Sequence, residues 1–135
     1  MAFVLDASVA ASWLLEPDET HLATRAEAML RSDGALVPHL WLLEIRSALL
    51  SAERRGRVEE AIVSAFLDGL STLPIVVDHG QDLRAVMGLA RQYRLTVYDA
   101  AYLELAQRRS LPLASLDRAL VAAARDTGVT LLDEM

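Results

Sequence analysis

Short apolar runs alternate along this chain with longer stretches of helical periodicity. Phe3-Val4-Leu5 is a compact apolar run that stops at Asp6 and predicts a strand. Ser8 to Leu15 predicts a short helix halted ahead of Pro17, and Glu19 to Arg31 a second one closed near Gly34. Ala35-Leu36-Val37 predicts a strand before Pro38. His39 to Arg55 predicts a long helix, with Pro38 near its first turn and Gly56 past its end. The next helix opens at Glu59 and Glu60 and runs to Leu70. Its leading acids, and Arg54 and Arg55 closing the helix before it, suit the helix dipole. Leu73 to Val77, β-branched and preceded by a turn, is the clearest strand. Gln81 to Tyr93 and Thr96 to Arg109 predict helices, and Leu111 to Ala114 a strand. Leu116 to Asp126 predicts a helix, and Val129 to Leu132 a last strand.

Strands alternating with helices predict an α/β fold: a parallel sheet with helices on both faces, here rich in helix. In open parallel sheets ligands bind beyond the carboxyl ends of the strands, so polar residues there carry the most information. No linker, internal repeat or low-complexity segment interrupts the pattern. The 135 residues fit one domain spanning 1–135 and are too few for two ordinary ones.

Composition narrows the chemistry. An apolar share of 53% is enough for a sizeable core and excludes disorder. The chain has no cysteine, which excludes disulfides, thiolate metal sites and a cysteine nucleophile. It also has no lysine, which excludes a P-loop and Schiff-base chemistry. No basic segment precedes the first apolar residues, and the longest apolar runs, near Ala7–Leu15 and Leu40–Leu50, are too short to span a bilayer. The expectation is a soluble, cytoplasmic protein without a membrane partner. The net charge of −6 argues against a nucleic-acid partner, since such domains are usually basic.

The acids themselves answer that objection. Asp6 follows the first strand, Asp78 the strand at Ile75–Val77, Asp117 the strand at Leu113-Ala114, and Asp133 the last one. Each has an ordinary reading as a helix cap or turn residue. Asp99 has one too, because Thr96 with an acid three residues later looks like a capping box. Glu44 is harder to explain. It lies in the most apolar stretch of its helix, and its neighbours Leu40, Trp41, Ser47 and Ala48 offer no cation. A buried, unpartnered acid is expensive, so Glu44 either faces solvent or has a partner elsewhere, such as a metal cation.

If Asp6, Glu44, Asp99 and Asp117 converge, their repulsion calls for cations between them. All-oxygen ligands select hard ions, Mg²⁺ or Mn²⁺. The matching chemistry is phosphodiester hydrolysis, in which metal-activated water attacks phosphorus in line. Two divalent ions would take the charge from −6 to −2, which leaves room for a nucleic acid. Arg54, Arg55, Arg57, Arg91, Arg94 and Arg118 are candidates to hold phosphates, although the first reading of each is a solvated helix-face charge, since surface Arg is common.

Four pieces of sequence, in this order, resemble the PIN-domain ribonucleases, and more narrowly the VapC-type toxin of a VapBC toxin–antitoxin system. They are Val4-Leu5-Asp6-Ala7-Ser8, Glu44 in the helix after Pro38, Leu95 to Leu103 with its Tyr-Asp-Ala-x-Tyr stretch, and Leu113-Ala114-Ser115-Leu116-Asp117. The resemblance runs nearly end to end. It implies a three-layer α/β/α sandwich with a five-stranded parallel sheet. It implies a Mg²⁺-dependent (or Mn²⁺-dependent) endoribonuclease, a homodimer and a cognate antitoxin. It assigns the catalytic and metal-binding acids to Asp6, Glu44, Asp99 and Asp117. Ser8 and Ser115 would position water, metal ligands or phosphate, their ordinary alternative being turn and cap hydrogen bonds. Asp78 and Asp133 have no place in the motif and remain cap or turn acids.

Rival families fit less well. A receiver domain needs paired acids after the first strand and a late lysine, but Ala7 follows Asp6 and no lysine exists. A haloacid-dehalogenase-like phosphatase needs an acid at position 8, which is Ser8. A metal-free ribonuclease would need a histidine pair from His21, His39 and His79, none of which stand four residues apart. Two readings remain open beside the toxin: an RNA-processing PIN nuclease without an antitoxin, and a non-catalytic PIN-like binding module. Trp13, Leu14 and Leu15, ahead of Pro17, suggest apolar surface buried between subunits.

Overall fold

A computed structural model describes residues 1–16 and 21–135. The chain begins with β1 (Phe3–Leu5), followed by α1 (Ala7–Leu15) and α2, described over His21–Asp33. The expected start of α2 at Glu19 lies outside the described residues. Next come β2 (Ala35–Pro38), α3 (Trp41–Arg54) and α4 (Glu60–Leu70). The second half holds β3 (Ile75–Asp78), α5 (Leu83–Tyr93), α6 (Val97–Arg109), β4 (Leu113–Ala114) and α7 (Arg118–Thr127). A 3₁₀ turn, Leu132–Glu134, closes the chain.

Among the described residues the sheet is four-stranded and parallel throughout, in the order β3-β2-β1-β4. Phe3, Val4 and Leu5 of the inner strand β1 are all fully buried, although successive side chains point to opposite faces. Both faces are therefore covered, as expected of a parallel sheet. α2 packs on β1 from one segment, and α6 packs on β1, β2 and β4 from another.

The expected fifth strand does not form. Val129 to Leu132 reaches β4 through a single parallel bridge, Leu113 to Leu131, with the Leu113 amide donating to Thr130 at 2.9 Å. β4 is only two residues long, so it offers no ladder to extend. The chain then turns into the 3₁₀ segment and buries Leu131 and Leu132 in the core. The apolar pattern there was correct about burial and wrong about the element.

Local chemistry explains the boundaries that matter. Thr96 caps α6, accepting the Asp99 amide at 3.0 Å. Asp82 caps α5, accepting from the Arg84 and Ala85 amides. Asp117 caps α7, accepting the Leu120 amide at 2.9 Å. Gly34 ends α2 at φ +83, and a Cβ there would stand 3.1 Å from the Pro74 carbonyl. That position needs glycine both for its left-handed backbone and for the close approach to the turn before β3.

Candidate functional site

Parallel pairing of β1 and β4 places their carboxyl ends side by side, and the Asp6 amide donates to the Ala114 carbonyl at 3.0 Å. Asp6, Ser115 and Asp117 therefore leave the sheet at the same place. Glu44 enters from the first turn of α3, and Asp99 from the first turn of α6. Asp6, Glu44, Asp99 and Asp117 line one cleft of about 340 Å³ together with Ser8 and Ser47. Four segments distant in sequence thus meet. A larger cavity of about 520 Å³ opens beside Met1, Gln107, Gly128 and Met135. It has no acidic or basic side chain in its lining, in contrast to the smaller cleft with its four acids.

Each carboxylate is held differently. Asp6 is buried, and its Oδ2 accepts hydrogen bonds from the Ser8 and Ser115 hydroxyls, both at 2.7 Å. Those hydroxyls in turn accept the Leu116 and Asp117 amides at 3.0 Å, so the serines lock Asp6 to the turn after β4. Glu44 is half-buried and has the partner its helix lacked: the Tyr102 hydroxyl donates to Oε1 at 2.5 Å. Asp117 lines the cleft and caps α7 at once. Asp99 likewise serves twice, its amide in the Thr96 cap and its carboxyl in the cleft.

The electrostatics are those of a cluster short of positive charge. Burial pushes the Asp6 carboxyl up, the serine hydroxyls pull it back, and Asp117 raises it again. Burial raises Glu44, opposed by Tyr102 and reinforced by Asp6 and Asp99. Asp99 is pushed up to about 6 by burial, then by Asp117 and Asp6. Burial and the nearby acids push the Tyr102 hydroxyl well above the usual range, so it acts only as a donor. Arg54, Arg55, Arg57, Arg91, Arg94 and Arg118 are exposed, and none lines the cleft.

All the charged ligand atoms in this cleft are carboxylate oxygens, a donor set suited to a hard divalent cation. Among the described residues no three acid or histidine side chains already stand in a metal's ligand sphere. Asp6 is turned to the serines, Glu44 to Tyr102 and Asp117 to the start of α7, and repulsion gives the carboxylates no reason to close up.

The structure adds to three sequence readings. Asp78 does accept the Gly80 amide as a turn acid at 2.9 Å, but it is also the buried anchor of an ion cluster. Arg108 reaches Asp78 at 2.7 Å and Glu104 at 2.7 Å, and Arg109 reaches Asp78 at 2.9 Å. The Glu104–Arg108 spacing of four along one helix was the available signal. His39 and His79 come together from the ends of β2 and β3, with ring centroids 5.9 Å apart, outside the cleft lining. Trp13 donates to the Ala23 carbonyl at 2.9 Å, tying α1 to α2. Tyr102 was visible in the Tyr-Asp-Ala-x-Tyr stretch, but its pairing with Glu44 spans 58 residues and has no local signature.

Known proteins give this arrangement a context. The PIN domain family model matches residues 3–126. Ribonuclease VapC3 of Pyrobaculum aerophilum is 32% identical over 124 residues, covering 89% of this chain and 92% of that protein. Ribonuclease VapC3 of Mycobacterium tuberculosis is 32% identical over 120 residues, covering 89% of this chain and 85% of that protein. The crystal structure of PAE2754 from Pyrobaculum aerophilum superposes with a TM-score of 0.73 at 27% identity, over 91% of this chain and 84% of that one.

Proposed function

We propose that this chain, which belongs to the PIN-domain family and within it to the VapC-type ribonucleases, hydrolyses internal phosphodiester bonds of RNA at the carboxylate cleft, as the toxin of a toxin–antitoxin pair. The observation that carries this reading is the convergence of Asp6, Glu44, Asp99 and Asp117 from four segments into one cleft. The function is that of a single PIN domain spanning 1–135, working as a homodimer and silenced by a cognate antitoxin. The four acids hold Mg²⁺ or Mn²⁺. When bound, such an ion supplies a water nucleophile at neutral pH and offsets the charge that develops on the phosphate. The chain's own part is positional. Ser8 and Ser115 orient the buried Asp6, and the start of α6 presents Asp99 opposite Asp117. Neutralising the cluster also lets a polyanion approach a protein whose formal charge is −6.

Product ends test the chemistry. Attack by water leaves the 2′-hydroxyl idle and yields 5′-phosphate and 3′-hydroxyl ends. Purified protein incubated with RNA in Mg²⁺ or Mn²⁺ should give those ends and lose cleavage in excess EDTA. Cyclic 2′,3′-phosphate ends, or undiminished cleavage in EDTA, would overturn the proposal.

A further inference from the structure

Glu44 stands alone among the cleft acids in how it is held. Asp6 is fixed by two hydroxyls, Ser8 beside it in sequence and Ser115 after β4, and Asp99 and Asp117 sit on helix N-termini. Glu44 projects from the first turn of α3, where its helical neighbours Leu40, Trp41, Ser47 and Ala48 offer no cation. Its one hydrogen-bond partner among the described residues is Tyr102. Tyr102 is the largest of the fully buried side chains, so its ring is held by the core around it. It lies on α6 one turn after Asp99, on a different element from Glu44.

We infer that Tyr102 is a positioning residue: its hydroxyl pins Oε1 of Glu44, leaving Oε2 as the oxygen offered to a divalent cation in the cleft. The inference rests on the metal-site reading of the cleft given above. Without the hydroxyl, Glu44 has to give up side-chain freedom each time it binds a cation, and α3 loses its polar tie to α6 at the cleft. Loss of a group that orients a metal ligand typically costs about 10- to 100-fold in affinity.

The test is Mn²⁺ titration by calorimetry, in the absence of RNA, on wild type, Tyr102→Phe, Glu44→Gln and the double variant. Phenylalanine keeps the ring in the core, and a melting curve reports folding separately. Tyr102→Phe should weaken Mn²⁺ binding by about 10-fold. In the Glu44→Gln background the same change should cost nothing further, because Tyr102 acts only through the Glu44 carboxylate. Glu44→Asp, too short to span the hydroxyl and the cleft, should likewise be insensitive to Tyr102→Phe. A residue of merely structural importance would lower the melting temperature and impose the same penalty in every background. That outcome, or unchanged affinity in Tyr102→Phe where Glu44→Gln weakens binding, would overturn the role of Tyr102 and leave the cleft reading standing. A wild type that binds no Mn²⁺ would overturn both.

Discussion

Asp117 shows how one residue can satisfy two readings at once. It caps α7 through the Leu120 amide and lines the cleft beside Asp99 and Asp6. Asparagine caps about as well as aspartate, so Asp117→Asn separates the roles. The metal-free variant should be more stable, by up to about 1 kcal/mol, because Asp6 and Asp99 lose a repelling neighbour. The thermal upshift that Mn²⁺ gives the wild type should shrink, and RNA cleavage should fall by orders of magnitude. Paired melting curves with and without Mn²⁺ decide it; a variant that melts like wild type in both and still cuts RNA acts only as a cap. Asp99 yields a pH dependence. Its carboxyl sits at about 6 in the folded protein against an ordinary 3.8. Below 3.8 both states are protonated and nothing is lost. Between those values the folded state retains a proton the unfolded chain releases, so metal-free stability falls as pH rises. Melting in EDTA from pH 4 to 7 should show wild type declining relative to Asp99→Asn across that window and a constant gap above it. A gap that does not change with pH would place the Asp99 carboxyl in ordinary solvent.

Helix α6 is where sequence periodicity and three-dimensional role part most clearly. Its N-terminus was legible, because Thr96 and Asp99 form a recognisable start signal. Its interior, Ala100 to Ala106, is buried all round, since it packs on three strands and on α5. Its far end carries the cluster in which Arg108 joins buried Glu104 to buried Asp78 at the end of β3. Arg108→Met would leave two buried carboxylates short of a partner, with Arg109 still on Asp78. Urea unfolding should show a loss of about 3 kcal/mol, the scale for breaking a buried pair. A change under about 0.5 kcal/mol would class the cluster with exposed bridges. Asp78 is held below its ordinary range by Arg108, so this stabilisation is present above pH 3.8 and is lost as pH falls through the depressed value, opposite to Asp99.

Across the whole molecule, apolar surface remains uncovered. Leu43, Leu83, Tyr98 and Val76 are each more than half exposed, on α3, α5, α6 and the edge strand β3. The segment singled out for subunit contact, Trp13 to Leu15, is half-buried against the chain's own core and keeps part of its surface exposed. Sedimentation at micromolar concentration should show a dimer, and a monomer alone would remove it from the proposed assembly. Among the described residues no helix is long and apolar enough to cross a membrane.

What sequence alone determined was whatever is written locally. Apolar periodicity set seven of the helices and the parallel α/β class, because burial of one face or both faces follows directly from residue spacing. Strand ends and helix starts, where an open parallel sheet exposes polar side chains, offered Asp6, Asp78, Asp99, Asp117 and Asp133 as candidates, and the resemblance to the PIN-domain ribonucleases singled out Asp6, Asp99 and Asp117 together with Glu44. Tertiary structure decided everything that depends on a partner distant in sequence. The apolar run at Val129–Leu132 carries no information about the length of β4, so only packing could settle whether it paired as a strand. Glu44 could not find Tyr102, nor Asp78 find Arg108, through any local pattern. Those contacts exist because parallel strands bring their carboxyl ends to one side of the sheet and α6 crosses behind them, a geometry that residue spacing does not encode.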